Sequence, residues 1–189
     1  MKPAALKLIS GRLKGRRLAA PKGLDTRPSL EKTRGVVFDV LGYRAELSEF
    51  AAVDLFAGSG ALGLEAYSRG CEPLVFCESL GPSFTQLKAN VEALLPTESF
   101  RLFKGDGLSW LRQATPGERP WLFLLDPPYG KSLGAQALDL LSQRAQDFKG
   151  SVVVLEADKK DEPAARAGLE NFSAKILGRS RLDFFWIEP

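Results

Sequence analysis

The sequence predicts an α/β fold: one open, mostly parallel sheet with helices on both faces, finished by an antiparallel C-terminal hairpin and preceded by a small basic arm. Three observations carry this reading. From about residue 50, short apolar runs near 52–57, 73–77, 99–104, 121–126 and 151–156 alternate with helical segments or turns, the order that βαβ units require. Those runs are apolar throughout rather than at every second position, as strands buried on both faces must be. The chain then closes on two strand-like pieces, 172–178 and 182–187, joined by Gly178-Arg179-Ser180-Arg181, a connection too short for anything but antiparallel pairing.

Composition bounds the rest. A chain of 189 residues, 44% hydrophobic and 26% charged, is long enough for one good core. The longest apolar run is Trp121 to Leu125, far short of the ~20 residues of a membrane span. The N-terminus lacks the apolar core of a signal peptide, so a soluble, cytoplasmic protein with no membrane partner is expected. Cys71 and Cys77 are the only cysteines and there is no histidine. Zinc sites, Ser-His triads and histidine bases are thereby excluded, and no metal is expected.

The net charge of +3 conceals an asymmetry: residues 1–44 carry eleven Lys/Arg against three Asp/Glu, and the remainder fifteen against twenty. A basic extension over 1–44 that seeks nucleic-acid phosphates, joined to a main domain over 45–189, follows from that split. Residues 6–18 hold two short apolar-alternating pieces around Gly11 and Gly15, a small hairpin displaying Arg12, Lys14, Arg16 and Arg17. Arg27 and Arg34 extend this set of candidate RNA contacts. After a loop over 19–28, Pro28 and Ser29 begin a helix whose apolar face is Leu30, Thr33, Val36, Val37, Val40 and Leu41, stopped by Gly42.

The first strand of the main domain runs into a helix through Val53-Asp54-Leu55-Phe56-Ala57-Gly58-Ser59-Gly60-Ala61-Leu62-Gly63. Glycines here let the backbone pass close to a ligand at a helix N-terminus, and Gly58, Gly60 and Gly63 satisfy the dinucleotide spacing. Glu78 follows at the end of the second strand, where a carboxylate can accept from both ribose hydroxyls. A nicotinamide oxidoreductase is one reading. Asp54 opposes it, because a carboxylate repels a pyrophosphate but tolerates the sulfonium and ammonium of S-adenosylmethionine. Asp54, Phe56, Ala57, Gly58, Ser59, Gly60 and Glu78 are therefore candidate S-adenosylmethionine ligands. Asp106 and Gly107 join them at the third strand end, Asp106 as acceptor for the adenine amino group.

Asp126-Pro127-Pro128-Tyr129 directly follows the buried strand 121–125. Prolines contribute no N–H, so the segment offers acceptors, the Asp126 carboxylate and the Pro127 carbonyl. Acceptors suit an amino-group substrate: holding the two hydrogens of a nucleobase amino group aims its lone pair at a methyl donor, and Asp126 stabilises the positive charge that develops. The base must leave its stack, and Tyr129 supplies a replacement aromatic face. A DNA adenine-N6 methyltransferase would use the same tetrapeptide but needs a sizeable target-recognition region, and none is visible. A catalytically silent RNA-binding factor would keep the arm but has no use for Asp126.

The chain resembles the bacterial 16S rRNA guanine-N2 methyltransferases of the RsmD type, whose sheet is the Rossmann-like one of the class I methyltransferases. The resemblance rests on Ile9-Ser10-Gly11 with Gly15-Arg16, on Thr26-Arg27-Pro28-Ser29 with Arg34 and Phe38, on Asp54 through Glu65, on Glu78 and on Asp126 through Tyr129. It implies S-adenosylmethionine as donor, S-adenosylhomocysteine as product, and one guanine of 16S rRNA within the small subunit as substrate. This chain has Gly35 where members usually carry Glu, and Ser79-Leu80 where they carry an acidic residue.

Overall fold

The computed structural model describes residues 6–19, 28–128, 130 and 132–188, with the backbone alone for 28–30. Five strands form the expected parallel body: β3 (Ala51–Asp54), β4 (Leu74–Glu78), β5 (Phe100–Lys104), β6 (Trp121–Leu125) and β7 (Val152–Asp158). β8 (Leu169–Leu177) and β9 (Ser180–Ile187) make the hairpin. In space the seven strands run β5-β4-β3-β6-β7-β9-β8, with β9 antiparallel to both neighbours. Chain order reverses between β3 and β6, which are adjacent and parallel. In open α/β sheets that reversal leaves a crevice at the carboxyl ends of the two strands, where ligands bind.

Helices α1 (Pro28–Gly42), α2 (Ala61–Ser68) and α3 (Gly81–Glu92) cover one face of the sheet, and α4 (Gly107–Gln113) and α5 (Leu133–Gln143) the other. Successive strand residues divide between the two layers, as the pleat demands. Ala52, Phe76, Leu124 and Val154 join the first core, and Val53, Val75, Phe123 and Val153 the second. Both sides of each central strand are thus dry, which is why those strands read as unbroken apolar runs.

Differences from the sequence reading have local causes. β3 stops at Asp54, although Leu55 still donates to the Leu124 carbonyl (3.1 Å) and Ala57 to that of Cys77 (2.9 Å) as the chain peels off into the glycine loop. The hairpin begins three residues earlier than expected and turns on Gly178-Arg179 alone, since Leu177 already pairs with Ser180. Gly178, at φ 64°, takes the left-handed conformation such a turn requires. β8 is an edge strand, mostly exposed and irregular between Asn171 and Ser173, so it carries no apolar alternation for the sequence to show.

In the arm, β1 (Leu6–Lys7) and β2 (Arg17–Leu18) pair antiparallel around a short 3₁₀ turn, Gly11–Leu13. The turn docks on α2: a Cβ on Gly11 would lie 1.7 Å from the Ser68 carbonyl oxygen, so no other residue fits there without displacing the arm. α1 begins and ends as expected, but its buried face is Thr33, Arg34, Val37, Phe38 and Leu41, with Val36 and Val40 only half-buried. The rotation brings Arg34 inward, a placement made tolerable by Glu65 on α2. The Leu30 side chain lies outside the described residues.

Candidate cofactor and catalytic site

Local sequence explains the loop that opens the site. β3 delivers Asp54 to the crevice, and Gly58 and Gly60, at φ 52° and 81°, turn the chain into α2. Asp54 is buried and accepts from the Gly63 N–H at 3.0 Å. Glu78, at the end of β4, accepts from the N–H of Gly58 (2.9 Å) and of Leu80 (2.7 Å), tying the loop to the neighbouring strand. Each oxygen keeps acceptor capacity beyond those bonds.

A cavity of about 270 Å³ lies over the carboxyl ends of β3, β6 and β7, roofed by α1 and β1. It brings together the predicted Asp54, Phe56, Ala57, Gly58, Ser59 and Asp126. Gly60 stands just outside the lining as the N-cap of α2. Asp106 and Gly107 lie at the next strand end, and Gly107 packs so closely that a Cβ there would be 2.2 Å from the Leu55 carbonyl oxygen. Asp106 caps α4, its Oδ2 accepting from the Ser109 N–H at 3.0 Å, while its Oδ1 has only a long 3.4 Å contact with the Leu108 N–H and remains available to a ligand. Pro127 is half-buried and Pro128 exposed, and neither lines the cavity; nor do Glu78, Asp106 and Gly107. Tyr129 lies outside the described residues, as does Arg27.

Charge in the cavity is one-sided. Asp54, Asp126 and Glu156 all line it, and among its described lining residues Arg34 is the one cation. Burial pushes the Asp54 carboxyl up to about 7, against hydrogen bonds from the backbone of Gly63 and Phe56, with Glu78 adding to the rise. Asp126 opens to solvent at the cavity mouth, yet its carboxyl is also pushed up, first by desolvation among the surrounding atoms and then by the charges of Glu156 and Asp54. A cationic ligand would favour the charged forms of both Asp54 and Asp126. The two thiols take no part: burial pushes Cys71 up to about 12 and Cys77 higher still, far from a reactive thiolate.

Sequence reasoning missed Glu156, although the strand expected over 151–156 ended on it; in the structure it lines the cavity two residues before the end of β7. It also placed Arg34 on the nucleic-acid surface. The structure corrects this: Arg34 is 4% exposed, donates Nη2 to the Lys7 carbonyl and lies 3.5 Å from Glu65 Oε2. Arg12 is partly spent as well, its guanidinium 3.5 Å above the Tyr67 ring with hydrogen bonds to the Tyr67 carbonyl and to Glu72, both 3.1 Å. These contacts hold the arm against α2, and Arg12, like Lys14, Arg16 and Arg17, is still exposed.

Comparison with known proteins places this geometry in a family. Residues 6–186 match the family model described as Conserved hypothetical protein 95. The ribosomal RNA small subunit methyltransferase D of Buchnera aphidicola is 30% identical over 160 residues, covering 84% of this chain and 81% of that protein. The structure of yhhF from Escherichia coli is 24% identical with a TM-score of 0.82, covering 97% of this chain and 98% of that one. An RNA methyltransferase of Salinibacter ruber in complex with S-adenosyl-L-homocysteine shares the fold at 17% identity, with a TM-score of 0.58 and coverage of 82% and 91%. The chain belongs to the Conserved hypothetical protein 95 family and is an RsmD-type methyltransferase.

Proposed function

We propose that the protein transfers a methyl group from S-adenosylmethionine to the N2 amino group of a guanine in 16S rRNA of the small ribosomal subunit, in the cytoplasm. The observation that carries this reading is that Asp126, which directly follows β6, lines the same cavity as the glycine loop. The cavity fits the cofactor by charge: three carboxylates favour a sulfonium and an ammonium, and would repel the pyrophosphate of a nicotinamide cofactor. When bound, S-adenosylmethionine supplies an electrophilic methyl group. The chain's own residues do the remainder. Asp126 and the Pro127 carbonyl accept the two amino hydrogens, orient the nitrogen lone pair, and Asp126 stabilises the charge that grows on nitrogen. Tyr129 is proposed to stack on the extruded base. Glu78 holds the ribose and the Gly58 turn together, and Asp106 accepts from adenine.

Two measurements test this. S-adenosylmethionine and S-adenosylhomocysteine should raise the melting temperature, by about 2.7 kcal/mol of added stability at a hundredfold excess over Kd, while NAD does not; stabilisation by NAD alone would point to an oxidoreductase. Glu78→Ala should reduce that shift, since both the ribose contact and the loop tie are lost. The exposed Lys14, Arg16 and Arg17 are the proposed phosphate contacts of the arm. Replacing all three by Ala should lower the magnitude of the log–log salt slope of RNA binding by roughly 2 to 3, each contact contributing roughly 0.7 to 0.9. An unchanged slope would show the arm to be a solvated surface.

A further inference from the structure

The cavity's one described cation has no part in the reading above. Arg34 is buried, and burial lowers its pKa even against the opposing charge of Glu65. Its partners are incomplete. Nε is 3.5 Å from Glu65 Oε2 without a hydrogen bond, and it is one of two buried side-chain nitrogen or oxygen atoms among the described residues that have none. Glu65 cannot serve it fully, because Oε2 accepts from the Ile9 N–H (2.8 Å) while Oε1 accepts from the Ser10 N–H (3.0 Å) and Arg69 Nε (2.9 Å). A buried guanidinium with a shared counter-ion, forming part of a cavity wall, is suited to a second anion.

The proposed cofactor brings such an anion. Its methionine half carries an α-carboxylate beside the ammonium and sulfonium, and Asp54, Asp126 and Glu156 favour the two cations but oppose the carboxylate. Arg34 is the one described lining residue able to neutralise it. We propose that Arg34 binds the α-carboxylate of the cofactor's methionine half, making it a residue that selects the intact amino-acid moiety rather than an RNA contact. This rests on the S-adenosylmethionine reading. It also gives α1 and the arm a share in the cofactor site, because Leu6, Thr33 and Val37 line the cavity beside Arg34.

Calorimetric titration of the whole protein with S-adenosylhomocysteine, and with the same thioether lacking its α-carboxylate, tests the assignment. The wild type should prefer S-adenosylhomocysteine by about 10- to 150-fold, the range of a hydrogen bond to a charged group. Arg34→Gln should lose affinity for S-adenosylhomocysteine by a similar factor and bind the decarboxylated thioether nearly as before, so that the preference disappears. Arg34→Lys, which keeps the charge opposite Glu65, should retain part of the preference and serves in place of Arg34→Gln if the latter does not fold. Equal binding of the two ligands by the wild type, or equal losses for both ligands in the variants, would overturn the proposal and leave Arg34 a structural partner of Glu65. Failure of the wild type to bind S-adenosylhomocysteine at all would instead overturn the cofactor reading, and this inference with it.

Discussion

Asp126→Ala is expected to lower kcat for methyl transfer by roughly 10²–10³-fold, the usual cost of removing one preorganised electrostatic group from a reacting centre. Melting temperature should change little, because Asp126 is exposed at the cavity mouth rather than buried in either core, and the loss of one of three cavity carboxylates should weaken S-adenosylmethionine binding far less than it slows transfer. Its environment adds a pH signature. The ionised carboxylate is the stronger acceptor and the only form that stabilises positive charge on the nitrogen, and desolvation with Glu156 and Asp54 nearby raises its pKa. The sign follows: kcat/KM should rise with pH as Asp126 loses its proton, beginning above the ordinary carboxylate range near 4. Asp126→Asn, which does not titrate, should lack that limb. Single-turnover rates at saturating cofactor across pH decide the matter, and near-wild-type transfer by Asp126→Ala would remove it from the mechanism.

Glu65→Ala should be the most destabilising single change in the described chain's ion-pair set. Glu65 is fully buried and accepts from two arm amides and from Arg69 while opposing Arg34. Its removal strands a buried guanidinium and orphans two backbone N–H groups, a loss of about 3–5 kcal/mol. For a chain of this size that lowers the melting temperature by on the order of 10 °C. The arm should loosen first, since Ile9 and Ser10 lose their acceptor; limited proteolysis within residues 6–19 would report it. Glu65→Gln, still an acceptor but without charge, should fall between. A Glu65→Ala protein that melts with the wild type would show that the arm is held by apolar packing alone.

The parallel body was legible because its strands are buried on both faces: runs such as Trp121 to Leu125 announce themselves without any structural knowledge. The positions of the glycine loop, Glu78 and Asp126 at strand ends were legible for a related reason, since each directly follows or closes such an apolar run. Arg34 was misassigned because charge in a sequence carries no record of its partner. Its burial depends on Glu65, a residue from another helix that reads in isolation as one more solvated carboxylate. Glu156 escaped for a different reason: the expected strand ended on it, but no glycine or proline loop follows to suggest a ligand there, and β7 continues to Asp158. Edge strand β8 lost its first residues to polar side chains that face solvent on the outside of the sheet.

The most direct test of the central claim is transfer of labelled methyl from S-adenosylmethionine to small ribosomal subunits isolated from a strain that lacks the gene, followed by nucleoside analysis of the 16S rRNA. The account predicts label in N2-methylguanosine at about one group per subunit, as expected of a single target guanine held by an acceptor pair, with initial transfer by Asp126→Ala slower by the same roughly 10²–10³-fold. Label in a methylated nucleoside other than N2-methylguanosine, or no incorporation into the 16S rRNA either free or in assembled subunits, would contradict it.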